Sequence, residues 1–144
     1  MKRPLSKAAY FVVMLIMALS LSVSSCKERE DFRTLKEGAD KGNESYKKYR
    51  TGDYPTAKAA LLDYIRYLEE QMTDPAYAHA ETAKSDIMTS YVRLATLEER
   101  NNGAEKENYM QRAVAQCQQL QIKWDCAPEA LRKRVDGIDA LPVK

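Results

Sequence analysis

Three cysteines and one histidine are the side chains best suited to covalent or metal chemistry in this 144-residue chain. Cys26 ends an apolar run, while Cys117 and Cys126 stand nine positions apart near the C-terminus. A thiol can be acylated, oxidised to a disulfide or, as thiolate, bound to a metal. Cys117 and Cys126 have no neighbouring histidine to complete a zinc set, and their spacing is not that of a Cys-x-x-Cys redox pair. His79 has no second histidine and no adjacent cysteine, so it reads as ordinary surface. The carboxylates Glu69, Glu70, Glu81, Asp86, Glu98 and Glu99 lie among lysines and arginines and read as solvated helix faces with i,i+4 pairing. No pair stands out for acid–base work. No nucleophile elbow or cofactor-cradling glycine set is present either. The sequence assigns no catalytic, cofactor or metal residue, and the expectation is a non-enzyme.

The segments that place these residues begin at the N-terminus. Lys2 and Arg3 precede an apolar run from Ala8 to Leu21, followed by Ser22-Val23-Ser24-Ser25-Cys26. A basic start, a hydrophobic stretch and small residues make a secretory signal. Val23-Ser24-Ser25-Cys26 resembles the lipobox of bacterial lipoproteins. The resemblance implies that residues 1–25 are removed, that Cys26 becomes the first residue with an acylated thiol and amine, and that 26–34 form a tether. The alternatives are an uncleaved anchor and cleavage without lipid. A spanning helix needs about 20 apolar residues, and this run is shorter. Each buried CH₂ of an acyl chain contributes roughly 0.8 kcal/mol, so three chains hold essentially permanently. In that family aspartate after the cysteine usually signals inner-membrane retention. Lys27 stands there instead, which implies the outer membrane.

Assigning Cys26 to lipid leaves Cys117 and Cys126 as a pair in an oxidising compartment, where a disulfide is expected. Closing that loop contributes about 2–3 kcal/mol in the chain-entropy picture. Removal of the signal also removes Lys2, Arg3 and Lys7, leaving 20 basic against 21 acidic side chains. A near-neutral chain without a concentrated basic face excludes a nucleic-acid partner.

The remaining sequence predicts a single helical domain over residues 35–140, all-α, with about five helices. Leu35, Ala39, Gly42, Tyr46 and Tyr49 keep one face of a first helix. Gly42 lowers helix propensity there, with a closely approaching neighbour as its compensation. Gly52 is expected in the left-handed conformation after that helix, with Pro55 opening a second that runs to Gln71. Ala57, Leu61, Tyr64, Ile65 and Leu68 form its stripe. A third helix is expected from Pro75, with Asp74 as N-cap, to Arg100. A fourth covers 104–122 with Met110, Ala113, Cys117 and Leu120 inward, and a fifth runs from Pro128 to Ile138.

Gly52-Asp53-Tyr54-Pro55-Thr56-Ala57, followed by Leu61, resembles the turn of a tetratricopeptide repeat. In that family the glycine sits between antiparallel helices, the aromatic plugs the gap, and the small residue lets the helices cross closely. Gly52, Tyr54 and Ala57 take those roles, with Ser45 and Tyr49 at inward positions of the preceding helix. The match covers residues 38–71. The next turn, Asn102-Gly103, departs from the 34-residue period, so the second unit is a degenerate hairpin and the chain should close as a compact bundle.

The resulting expectation is an envelope lipoprotein that binds a protein or peptide, or supports an assembly, with tyrosines as anchors. Tyr67 and Tyr77, lying off the apolar stripes, are the candidate partner-binding residues. Trp124 is either a plug over the last hairpin or an interface anchor. The alternatives are a structural or stress-related envelope factor without a dedicated ligand and, further off, a small cell-wall-acting enzyme.

Overall fold

The computed structural model describes residues 33–141. The expected signal segment, residues 1–25, and Cys26 lie outside the described residues. The chain divides into two compact units, residues 1–37 and 38–144. Of the first, residues 33–37 are described and are helical. Among the described residues the fold is all-α, with five helices paired as antiparallel hairpins. They are α1 (residues 33–51), α2 (Tyr54–Gln71), α3 (Ala80–Arg100), α4 (Lys106–Gln118) and α5 (Pro128–Asp139).

The first hairpin follows the spacing of its small residues. Asp53 has extended backbone and its carboxylate accepts from the Thr56 N–H at 2.9 Å, capping α2, while Pro55 fills the first turn. Ala57, Leu61, Ile65 and Leu68 are buried, each in the stripe read from sequence. From α1, Ser45 and Tyr49 are buried, and the Ser45 hydroxyl donates to the Ala60 carbonyl at 3.1 Å. A Cβ on Gly42 would lie 2.8 Å from the Tyr64 hydroxyl, so the glycine does make room for α2. Gly52 departs from expectation, because no described glycine has positive φ. Its N–H continues the helical pattern to the Lys48 carbonyl, and a Cβ there would crowd that same oxygen. Close approach, rather than left-handed backbone, excludes a side chain at this turn. Leu35 and Ala39 are exposed rather than inward.

Helix α3 begins at Ala80, five residues later than Pro75. Asp74 caps a single turn instead: its carboxylate accepts from Ala76 N–H at 2.8 Å and its carbonyl from Tyr77 N–H at 3.0 Å. That local bonding competes with helical continuation. Ala76 is exposed in consequence, and the buried stripe starts at Ala83. Once begun, α3 is buried on nearly every side and packs against α2, α4 and α5. It ends in a Schellman arrangement, with Asn102 at φ 53° and the Gly103 N–H donating to the Glu98 carbonyl at 2.8 Å.

Helix α4 is shorter than expected at both ends. Met110, Ala113 and Cys117 are buried as predicted, but Leu120 is buried from a turn and Ile122 is exposed. Cys117 and Cys126 form the disulfide, with Cα atoms 5.7 Å apart. Drawing Cys126 back to the end of α4 requires the intervening chain to leave the helix. The Gln121 N–H, freed from helical bonding, donates to the Glu81 carboxylate at 2.9 Å. Pro128 then opens α5, which buries Leu131 and Val135. Each such apolar side chain contributes roughly 1.5–3 kcal/mol on full burial.

Candidate functional site

Helices α1 and α3 line a cleft of about 310 Å³ with matching steps, residues 39, 42, 43 and 46 on one and 86, 89, 90 and 93 on the other. Both sets follow i, i+3, i+4, i+7, the spacing that keeps side chains on one face. The set from α1 includes Ala39 and Gly42, which are too small to fill the space. The set from α3 is Asp86, Thr89, Ser90 and Arg93, a polar stripe on a helix that is otherwise largely buried. Ile138 of α5 and Tyr64 of α2 complete the walls.

One end of the cleft is clasped shut. Arg93 Nη2 meets Asp139 Oδ1 at 2.5 Å, and its Nε donates to the same oxygen at 3.1 Å. The guanidinium lies 4.4 Å from the centre of the Tyr46 ring. The Tyr46 hydroxyl and Arg50 Nη1 both donate to the Asp139 carbonyl, at 3.3 and 2.5 Å. This clasp joins α1, α3 and α5 and satisfies the C-terminal carbonyl that α5 leaves open.

Asp86 lies beyond the clasp and is half-buried. Its Oδ2 accepts from the Tyr64 hydroxyl at 2.9 Å, and among the described residues no cation forms an ion pair with it. Burial pushes its carboxyl above the usual carboxylate range, only partly opposed by the Tyr64 hydrogen bond and by Arg93. Burial also pushes the Tyr64 phenol well above its ordinary value, with Asp86 adding to it and Tyr77 and Tyr67 contributing less. The Tyr77 hydroxyl is raised by burial and by the charge of Asp86. Tyr64 thus hydrogen-bonds this carboxylate, and Tyr77 lies close enough to feel its charge.

A second carboxylate on α3 has the opposite surroundings. Glu98 is 1% exposed, contrary to its assignment to a solvated face. Its Oε1 meets Lys58 Nζ at 2.8 Å and accepts from the Tyr54 hydroxyl at 2.6 Å, while Oε2 accepts from the Glu105 N–H at 3.3 Å. Burial raises its carboxyl, but these three donors together hold it below the usual range. Lys58 also meets Glu105 at 2.8 Å, and that carboxylate accepts from the Tyr109 hydroxyl at 3.0 Å. Hydrogen bonds to Glu105 and Glu98 hold the Lys58 ammonium charged well above its ordinary range. Gly103 is required here because a Cβ would run into the Glu98 carboxylate. This network ties α2, α3 and the start of α4 together and leaves Glu98 no free valence.

Two further hollows lack an unpaired buried charge. About 200 Å³ opens between α1 and α2 beside Lys41, Glu44 and Tyr67, and about 390 Å³ lies where Arg50, Arg100 and Asp136 meet near the helix ends. Among the described residues no group of three His, Cys, Asp or Glu side chains is placed to hold a metal ion.

The residues singled out in the sequence fall in different places. Tyr67 is half-buried on α2 with Lys41 Nζ 4.9 Å over its ring. Tyr77 is half-buried in the loop before α3, edge-on to His79. Both lie close enough to Tyr64 to influence its hydroxyl, and so border the Asp86 region. Trp124 sits apart in the α4–α5 loop, packed partly on the core under the Arg134 guanidinium, 3.5 Å from its ring centre. Asp86, Glu98 and Arg93 were not singled out. The signal for Asp86 and Arg93 was the polar stripe Asp86, Thr89, Ser90, Arg93 on α3, the helix with the most buried positions among the described residues. Compared with family models, curated proteins and solved structures, the chain matches none.

Proposed function

We propose that this protein is a lipid-anchored envelope module that binds a polypeptide segment in the cleft between α1, α3 and α5. The anchoring half rests on the lipobox-like Val23-Ser24-Ser25-Cys26 and on Lys27 after it, which favours the outer membrane. The binding half rests on one observation: Asp86, a half-buried carboxylate without a cationic partner, faces an open cleft bordered by tyrosines. Keeping such a group lowers the stability of a domain, and costs of this kind are retained at functional sites. Paired helices resembling tetratricopeptide hairpins suit this role, because their shared face offers a groove to an extended or helical segment.

A photoreactive benzoyl-phenylalanine placed at Ala39 or Asn43, both exposed on the cleft lip, tests the binding half in intact cells. The expected result is the same crosslinked polypeptide from both positions and none from Glu107 on the exposed side of α4. Equal capture from all three positions would count against the cleft. The anchoring half is tested by Cys26→Ser, which should abolish acyl labelling and release the protein from the membrane fraction.

A further inference from the structure

The cleft also carries the chemistry of what it would select, an inference that rests on the binding reading above. We propose that it recognises a lysine side chain of the bound segment, with Asp86 as the counter-charge. Three features of the geometry support an ammonium group. The first is charge. Arg93, the nearest cation on the same face, is already spent on Asp139, so the three groups together leave one net negative charge at Asp86. A cation entering the cleft meets an attraction strengthened by partial burial.

The second feature is the number of free acceptor atoms. A guanidinium makes its strongest contact by presenting a fork to both oxygens of a carboxylate. Asp86 Oδ2 already accepts from the Tyr64 hydroxyl, while Oδ1 accepts no hydrogen bond among the described residues. A fork laid across both oxygens would compete with that phenol, whereas a compact point charge can sit on Oδ1 alone. The third feature is what surrounds that oxygen. An ammonium has three donors, and Ser90, one helical turn along from Asp86, also lines the cleft. Its hydroxyl can accept a second donor, and the small Ala39 and Gly42 on the facing wall leave room for the aliphatic stem.

The test uses the full-length protein in detergent micelles and an array of random decapeptides, acetylated and amidated at their ends. One central position is fixed as lysine, arginine, acetyl-lysine or norleucine. Lysine pools should bind about tenfold more tightly than acetyl-lysine and norleucine pools, and more tightly than arginine pools, as one charge-assisted contact allows. Asp86→Asn keeps the shape and the acceptor for Tyr64, and should bring all four pools within about twofold of one another. Glu99→Gln, at an exposed carboxylate on the same helix, should leave the lysine preference intact, and circular dichroism should show both variants folded. Equal binding of lysine and acetyl-lysine pools, or a preference that survives Asp86→Asn, overturns the inference while leaving a peptide-binding cleft standing. Absence of binding by every pool removes both readings. Displacement of the lysine pools by equimolar spermidine would assign the site to free polyamines and overturn the inference as well.

Discussion

Two carboxylates twelve residues apart on α3 show how one helix can hold one buried charge fully partnered and another short of partners. Glu98 is sealed between α2 and the start of α4, with Lys58, Tyr54 and the Glu105 backbone answering both oxygens. Asp86 faces a cleft with a single neutral donor. Burial acts on both in the same direction, yet Glu98 ends below the usual carboxylate range and Asp86 above it. The difference lies in partners, not in depth. A buried charge with its full complement of hydrogen bonds holds elements together, and one left short of them is a standing strain on the fold. Strain of that kind is retained where a ligand relieves it.

The comparison is broken most severely at its paired end. Glu98→Ala should lower unfolding free energy by about 3 kcal/mol in urea titration, since it leaves the Tyr54 hydroxyl and the Glu105 N–H without their acceptor while Lys58 keeps Glu105. Removing the disulfide with Cys117→Ser and Cys126→Ser should lower stability by about 2–3 kcal/mol while leaving the contrast between the two carboxylates unchanged. Deleting one hydroxyl at each site sharpens the contrast. Tyr54→Phe should lose about 1 kcal/mol, whereas Tyr64→Phe should lose less and push Asp86 further up, as carboxyl NMR titration would show.

Acidity separates the two ends by sign. Glu98 binds its proton less readily when folded, so its contribution is present above the unfolded value of 4.5 and is lost as pH falls through the lower folded value. Asp86 binds its proton more readily when folded, so stability declines as pH rises from the unfolded 3.8 through the higher folded value. Asp86→Asn should therefore raise stability at neutral pH by about 0.5–1 kcal/mol, with the gain fading below pH 3.8. Thermal melts of wild type, Asp86→Asn and Glu98→Gln between pH 3 and pH 7 check both signs. A destabilised Asp86→Asn at neutral pH would place Asp86 with Glu98 as a structural group.

Much of the fold was legible where local chemistry is self-sufficient. Pro55 and Pro128 open their helices, Ala57, Leu61, Ile65 and Leu68 face inward, and cysteine counting found the Cys117–Cys126 pair. The third helix was placed too early because Asp74 serves equally well as a helix cap or as the head of a lone turn. The fourth was drawn too long because the pull of Cys126 on Cys117 is invisible to helical periodicity. The site was half legible: Tyr67 and Tyr77 flank it, but Tyr64 was read as an inward stripe residue. Glu98 could not be recognised as buried, since its cation is Lys58, 40 residues earlier on another helix. Asp86 could have been noticed from its place in a polar stripe on α3.

Helix α3 touches α2, α4 and α5 by direct packing and reaches α1 through Arg93 on Tyr46 and Tyr49. In a solenoid each unit meets only its neighbours, so arrays lengthen or shorten by duplication and loss. A central axle forbids that route. Removing any one hairpin would uncover apolar surface on α3, so the described domain should melt as one cooperative unit in calorimetry.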